Sequence, residues 1–378
     1  MTPIRLGIIG LSGTNLSSWA STAHLPYLLS PRGKAQYKIV AVCNSSIDSA
    51  RLAIEIFQLP PGTRPYGNPH DLAQDANVDL VVCSTRVDKH YESIKPSIIA
   101  GKAAFVEWPL ASNVFQAREL AELAKDKGIN SVIGLHGPVT APVNVVQGLL
   151  EQGRIGKVLS SEVKASAGTG DYHAVPESLR YFTQSEVGGN AITIGFGHLW
   201  DILQFALGDA QDICNRLQLQ QPEVGLTSSS TGMVVETVKS DVPDLVFVTA
   251  LLKGEKYIQD GASLFVSFRR GPPFPGEPHL TWTIHGEKGE IKFIAEGGTT
   301  PRTIASKPVK IVLHDFSTKH VQVIGWSWEA WCQELPAAAR GVARLYEAYA
   351  RGDNTAYFDI QHALKRHEQL ESIQASKN

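Results

Sequence analysis

The sequence predicts an α/β domain joined to an α+β domain: a doubly wound parallel sheet at the N-terminus, then a mostly antiparallel open sheet, with C-terminal helices packing back. Three observations predict it. The 378 residues are long for one core and suit two. The first third alternates short, almost continuously apolar runs with helical patterns, as a parallel sheet covered on both faces requires. From about residue 138 the apolar runs lengthen and alternate with polar residues, the mark of antiparallel strands with one face to bury.

In chain order, RLGIIGL, KIVAVCN, LVVCSTR, AAFVEW and NSVIGLH read as strands, while DSARLAIEIFQL, HYESIKPSIIAG and NVFQARELAELAKDKG carry apolar residues at helical spacing. In the last of these Phe115, Leu120, Leu123 and Ala124 form one stripe, with Arg118, Glu119, Glu122 and Lys125 outside it. The helix PVNVVQGLLEQG leads into SSEVKASA, DLVFVTALLK, ASLFVSFRRG and HLTWTIHGEKGEIKFIAEG. There Leu280, Trp282 and Ile284 point one way, Thr281, Thr283 and His285 the other, and GEKG supplies a hairpin turn. The helix GHLWDILQFALG, a partner subunit, or both would cover this sheet. The tail, EAWCQELPAAARGVARLYEAYARG and TAYFDIQHALKRHEQLESIQ, returns to helix. With no repeat and no low-complexity linker, the two domains, 1–137 and 138–378, are expected to interweave, and a cleft between them is the expected ligand site.

A net charge of -2 without long runs of one sign argues against direct nucleic-acid binding or a polybasic membrane anchor. The N-terminal run breaks into Gly, Ser and Asn too early for a signal peptide. No stretch approaches the roughly 20 apolar residues of a membrane span. Cys43, Cys83, Cys214 and Cys332 lack metal-type spacing and read as reduced thiols. The expectation is a soluble cytoplasmic protein without a metal.

GLSGTN, residues 10–15, follows the first strand and precedes a helix, where a dinucleotide's pyrophosphate meets backbone N–H groups and the positive end of a helix. Gly10 is in place, Ser12 and Asn15 occupy the second and third glycine positions of G-x-G-x-x-G, and Gly13 and Thr14 complete the loop. After the second strand stand Asn44, Ser45 and Ser46. A carboxylate there would bond the 2'-hydroxyl of NAD and repel the phosphate of NADP, so its absence leans towards NADP, though Asn44 suits either ribose.

The order of features resembles the glucose-fructose oxidoreductase, inositol dehydrogenase and rhizopine catabolism (Gfo/Idh/MocA) family over nearly the whole chain. The resemblance rests on GIIGLSG, AHLPYL, VDLVVCSTRVDKHYESIKPSIIAGKAAFVEWPLA, GRIGKV, GHLWD, IHGEKGEI and HALKRHEQLESI. It implies a Rossmann domain over 1–137 and a substrate and oligomerisation domain over 138–378, with NAD or NADP as cofactor. The family's Glu-Lys-Pro becomes Glu107-Trp108-Pro109, so its lysine is missing. Its aspartate falls on Ile194, its histidine on His198, and a following acid on Asp201. Those departures, with GLSGTNLSSWASTAH and TIGFGHLWDIL, resemble the branch of the galactose-regulon repressor of yeasts.

The resemblance further implies that Ser84, Thr85 and His90 wall the adenine and ribose, that Glu107 fixes the local turn or touches the ribose side, and that His136 lines the nicotinamide pocket, the other reading being an exposed strand-end histidine; Trp108 stacks on a ring and excludes water, and with GLHG builds a flat slot for an aromatic or sugar ring. Arg86, beside them, meets a phosphate or is a surface residue. His198 is the candidate proton-handling group, since an imidazole titrates near pH ~6.5; the other reading is a core histidine. Asp201 orients it or caps local backbone. Tyr172 and His173 supply a proton or a sugar contact, or belong to a surface loop.

The function expected is an NAD(P)-dependent oxidoreductase acting on a small hydroxylated or carbonyl-bearing ring such as a sugar, polyol or secondary metabolite, as a homodimer or tetramer. A redox-neutral epimerisation or elimination through a transient ketone falls within it. The alternative is an NAD(P)-sensing regulator or scaffold that binds a regulatory protein partner without turnover.

Overall fold

The computed structural model describes residues 2–16, 18–167, 170–299 and 309–375. The chain forms two compact units, Met1–Val139 with Glu329–Glu368, and Thr140–Trp328 with Gln369–Asn378. Ser17, in the stretch GLSGTNLSSWASTAH, and Gly168 and Thr169, ahead of Tyr172, lie outside the described residues.

The first unit is built on strands β1 (Ile4–Ile9), β2 (Tyr37–Cys43), β3 (Arg64–Tyr66), β4 (Leu80–Cys83), β5 (Ala103–Val106) and β6 (Ser131–Ile133). Among the described residues they form one sheet in the order β3-β2-β1-β4-β5-β6, every pairing parallel. This order reverses direction between β1 and β4, where a doubly wound sheet opens a crevice at the carboxyl ends of its strands. The strands are apolar because both faces are buried: Leu6, Ile8, Leu80, Val82 and Phe105 are inaccessible to solvent. Helix Ile47–Ile56 starts at Ser46, whose side chain accepts from Ser49 N, and helix Val114–Lys127 starts at Asn113 and stops at left-handed Gly128.

Two expectations change here. Phe115 is 73% exposed: the stripe that packs is Val114, Ala117, Leu120, Ala121 and Ala124, which keeps the expected Leu120 and Ala124 and leaves Phe115 outside. Residues 329–368, expected with the second domain, belong to the first unit. Helix Ala337–Arg351 drives Val342, Leu345 and Tyr346 into the same core as Leu6, Tyr27 and Phe105, burying more apolar surface than an exposed tail would.

The second unit carries β7 (Val158–Ala167), β8 (Ala174–Pro176), β9 (Ala210–Gln218), β10 (Glu223–Thr227), β11 (Val234–Lys239), β12 (Leu245–Leu252), β13 (Ile258–Arg270), β14 (Leu280–Gly286), β15 (Gly289–Ala295), β16 (Val309–Asp315) and β17 (His320–Ile324). One described sheet runs β17-β16-β15-β14-β7-β13-β12-β9 and a smaller one β11-β10-β8. The large sheet is antiparallel except where β13 meets β7. Leu280, Trp282 and Ile284 are buried and Thr281, Thr283 and His285 are not, as the alternation predicts. Helix Gly197–Leu207 lies on the buried side, with Phe196 just ahead of it packed edge-on to Phe268. The opposite side presents Phe247, Leu251 and Phe265 to solvent. No helix among the described residues is long and apolar enough to cross a membrane.

Candidate functional site

In the first unit a cavity of about 510 Å³ opens at the carboxyl ends of β1, β2 and β4, with Gly10, Ser12, Thr14, Asn44, Ser45 and Thr85 in its wall. Six of the expected cofactor residues therefore meet at one place. Gly10 has φ +95°, and a Cβ on it would fall 2.6 Å from Ser84 O and 2.7 Å from Thr85 Cγ2. Only glycine lets the first turn lie this close to β4, leaving backbone facing the crevice. The fit to a dinucleotide pyrophosphate rests on that cradle.

The loop departs from an open glycine cradle at Ser12. Its Oγ accepts from Asn15 N at 3.0 Å and from Thr14 N at 3.3 Å. A glycine at this position would leave those donors to an incoming anion. Gly13 packs towards helix Ile47–Ile56, a Cβ there reaching 3.0 Å from Leu52 Cγ. Asn44 is a strut: its amide nitrogen donates to Leu11 O at 2.7 Å and Ser49 O at 3.1 Å. No carboxylate is among the residues lining the cavity, and Lys89 is the charged residue that does.

The remaining expected residues sit off the cavity wall. Ser84 is buried and its carbonyl is what Gly10 approaches. His90 is buried, with Nδ1 at 2.8 Å from Pro109 O and Nε2 at 3.0 Å from Thr85 O, so the neutral ring, with one N–H, donates to one of the two carbonyls. Burial pushes its imidazole down from its ordinary range, against the pull of both carbonyls. Arg86, read as a phosphate contact or a surface residue, chelates Asp88 through Nε and Nη2 at 2.5 and 2.7 Å.

Glu107 takes part in a buried trio. His24 Nε2 stands 2.9 Å from Glu107 Oε1 and His24 Nδ1 2.8 Å from the Tyr346 hydroxyl. A carboxylate only accepts, so the ring donates to Glu107 through Nε2–H. Burial holds the Tyr346 phenol well above its usual range, so it keeps its proton and can donate to Nδ1. Gly134 makes room, since a Cβ there would lie 2.4 Å from Glu107 Oε2. Glu107, next to Trp108 in the chain, is thereby anchored to His24.

Trp108, expected at the position of the family lysine, is 5% exposed. Its indole meets His367 of helix Ile360–Ala375 with ring centroids 4.9 Å apart. His367 is buried, its Nε2 has no hydrogen-bond partner, and burial pushes its imidazole down to about 4. His136 is buried as well and packs 6.4 Å from the Trp19 ring. The sequence reading missed His24, Tyr346 and His367. His24 stands inside AHLPYL and His367 inside HALKRHEQLESI, but nothing local pairs either with Glu107-Trp108.

In the second unit His198 is 3% exposed and Asp201 inaccessible, both in helix Gly197–Leu207. Ile194 precedes them in the turn Ala191–Phe196. Tyr172 donates its hydroxyl proton to Pro272 O at 2.7 Å and lies under the Arg269 guanidinium, 4.8 Å from the ring centroid. His173 sets Nδ1 3.1 Å from Gln221 Oε1. Tyr172 thus packs against the proline-rich loop 272–278, with which it walls a cavity of about 570 Å³ alongside Phe274 and His279.

Two family models match the chain. That for the oxidoreductase family with an NAD-binding Rossmann fold (GFO_IDH_MocA) spans residues 4–134, and that for the Gal80p C-terminal domain spans residues 142–295. The chain is 29% identical over 374 residues to Dehydrogenase aclE of Aspergillus oryzae, covering 98% of this chain and 95% of that one. It is also 29% identical over 305 residues to the galactose/lactose metabolism regulatory protein GAL80 of Kluyveromyces lactis, covering 78% of this chain and 65% of that one. The crystal structure of a super-repressor mutant of Gal80p from Saccharomyces cerevisiae superposes with a TM-score of 0.84 at 23% identity, covering 99% of this chain and 95% of that one.

Proposed function

The chain belongs to the Gfo/Idh/MocA oxidoreductase family, in its Gal80-like branch, and from that membership we propose that it is an NAD(P)-dependent oxidoreductase acting on a small hydroxylated or carbonyl-bearing ring. The observation that carries the reading is the cavity over Gly10 at the switch point of the parallel sheet. A bound nicotinamide dinucleotide supplies a hydride acceptor or donor. The loop 10–15 holds its pyrophosphate, and Ser45 and Thr85 contact the ribose and adenine side. The want of a carboxylate beside Ser45 favours NADP over NAD.

The chain's own chemistry is proton handling. His198 takes or gives the hydroxyl proton, and Asp201, one helical turn on, orients it. An indole cannot exchange a proton near neutral pH, so Trp108 excludes water and shapes the pocket where the family uses lysine. Tyr172 and His173 shape the substrate side. The protein acts in the cytoplasm as a homodimer or tetramer through the open sheet face carrying Phe247, Leu251 and Phe265; a monomer by light scattering at micromolar concentration excludes that assembly.

One observation favours a second reading, a dinucleotide-sensing regulator that binds a protein partner. Trp108 is buried against His367, which closes the lysine position instead of opening it to a substrate. The test follows nicotinamide absorbance with NADP or NAD and pools of sugars, polyols and cell extract, for wild type and His198→Ala. Turnover lost in the variant supports the enzyme. Dinucleotide binding without turnover in either protein supports the regulator.

A further inference from the structure

We propose that Lys89, together with Ser45, selects a nucleotide carrying a phosphate on its adenosine ribose, making Lys89 the specificity-determining residue of the first unit's cavity. The inference rests on the dinucleotide reading above and adds a residue to it. Of the residues lining the cavity, Ser12, Thr14, Ser45, Ser49, Thr85 and Ser93 carry hydroxyls, and Lys89 is the charged one. A hydroxyl-rich wall with one cation and no carboxylate suits a phosphate dianion and does nothing to repel it.

The neighbours leave that charge to Lys89. Asp88, next in the chain, is chelated by Arg86 at 2.5 and 2.7 Å, and Lys89 Nζ stands 3.8 Å from it, beyond hydrogen-bond distance. The Lys89 side chain is 65% exposed and free to turn towards a ligand. At the end of β2, where ribose recognition is expected, Asn44 has its amide nitrogen bonded to Leu11 O and Ser49 O. The Ser46 side chain accepts from Ser49 N at the helix start. Ser45 is thus the polar group of that triplet left to face a ribose phosphate.

Calorimetric titration with 2',5'-ADP and with 5'-AMP tests the assignment without turnover. Wild type is expected to bind 2',5'-ADP about tenfold more tightly than 5'-AMP, the increment of one charge-assisted contact, and to lose part of that margin at high salt. Lys89→Met and Lys89→Glu, on an exposed side chain, are expected to abolish the margin between the two nucleotides. Equal binding of the two nucleotides by wild type, or a margin that survives both substitutions, overturns the role of Lys89 and leaves the dinucleotide site standing. Failure of wild type to bind either nucleotide, NAD or NADP overturns the dinucleotide reading and this assignment with it.

Discussion

His24 stands with one ring nitrogen 2.9 Å from the Glu107 carboxylate and the other 2.8 Å from the Tyr346 hydroxyl, all three side chains buried. Removing one member strands the others without water. Glu107→Ala is expected to cost about 3 kcal/mol by leaving His24 and the space beside Gly134 unfilled, and Tyr346→Phe about 1 kcal/mol. Urea denaturation measures both. Midpoints unchanged from wild type would show that the trio does not hold the turn before Trp108.

A dinucleotide pyrophosphate bound at the loop 10–15, as proposed, would compete with Ser12, whose Oγ already accepts from Thr14 N and Asn15 N. Ser12→Gly should tighten NADPH binding about fivefold, the worth of roughly 1 kcal/mol for releasing a hydrogen bond to an anion. Quenching of tryptophan emission by NADPH reads the affinity. Weaker binding in the variant would mean that the hydroxyl itself helps to hold the cofactor.

His367 links stability to pH. Burial, with His90 nearby, pushes its imidazole down to about 4, whereas in the unfolded chain it titrates near ~6.5. Below that value the unfolded state binds a proton that the folded state refuses. Stability is therefore fully present above pH ~6.5 and falls as pH drops towards about 4, by up to about 3 kcal/mol. His367→Phe should flatten this part of the curve in thermal melts taken from neutral pH downwards. The same slope in the variant would assign the loss to other groups.

Restoring the family lysine should not restore an open active site. Trp108 is 5% exposed against His367, so Trp108→Lys removes a large apolar contact and puts an ammonium where little water reaches. The expected cost in urea denaturation is about 3 kcal/mol, with the introduced amine titrating below its ordinary range. A Trp108→Lys protein as stable as wild type would mean that the pocket opens readily to solvent.

Much of the fold was legible because apolar periodicity is local. β4, β5, β6, β12, β14 and β15 lie within the runs read as strands, β1, β2 and β13 begin before theirs, and GEKG is the turn between β14 and β15. β3 escaped because it has three residues, and β11 because its residues are mostly exposed and show no alternation. The site was legible only in part. Gly10 and the triplet at Asn44 follow from their place after a strand, but His24 meets Tyr346 across 322 positions, and no periodicity encodes such a pair. The same holds for Trp108 and His367, where a helical histidine looks like any other until the helix is docked. Phe115 misled because it sits one residue, about 100° of helical turn, from Val114, which packs in its place.

The most direct test of a nicotinamide dinucleotide site in the first unit is NADPH binding to wild type and to Gly10→Val, each checked for folding by circular dichroism. Saturable binding by wild type and none by the variant are expected, since the valine side chain would strike Ser84 O and Thr85 at the cradle. Absence of NADPH and NADH binding in wild type, or equal binding in the folded variant, would contradict it.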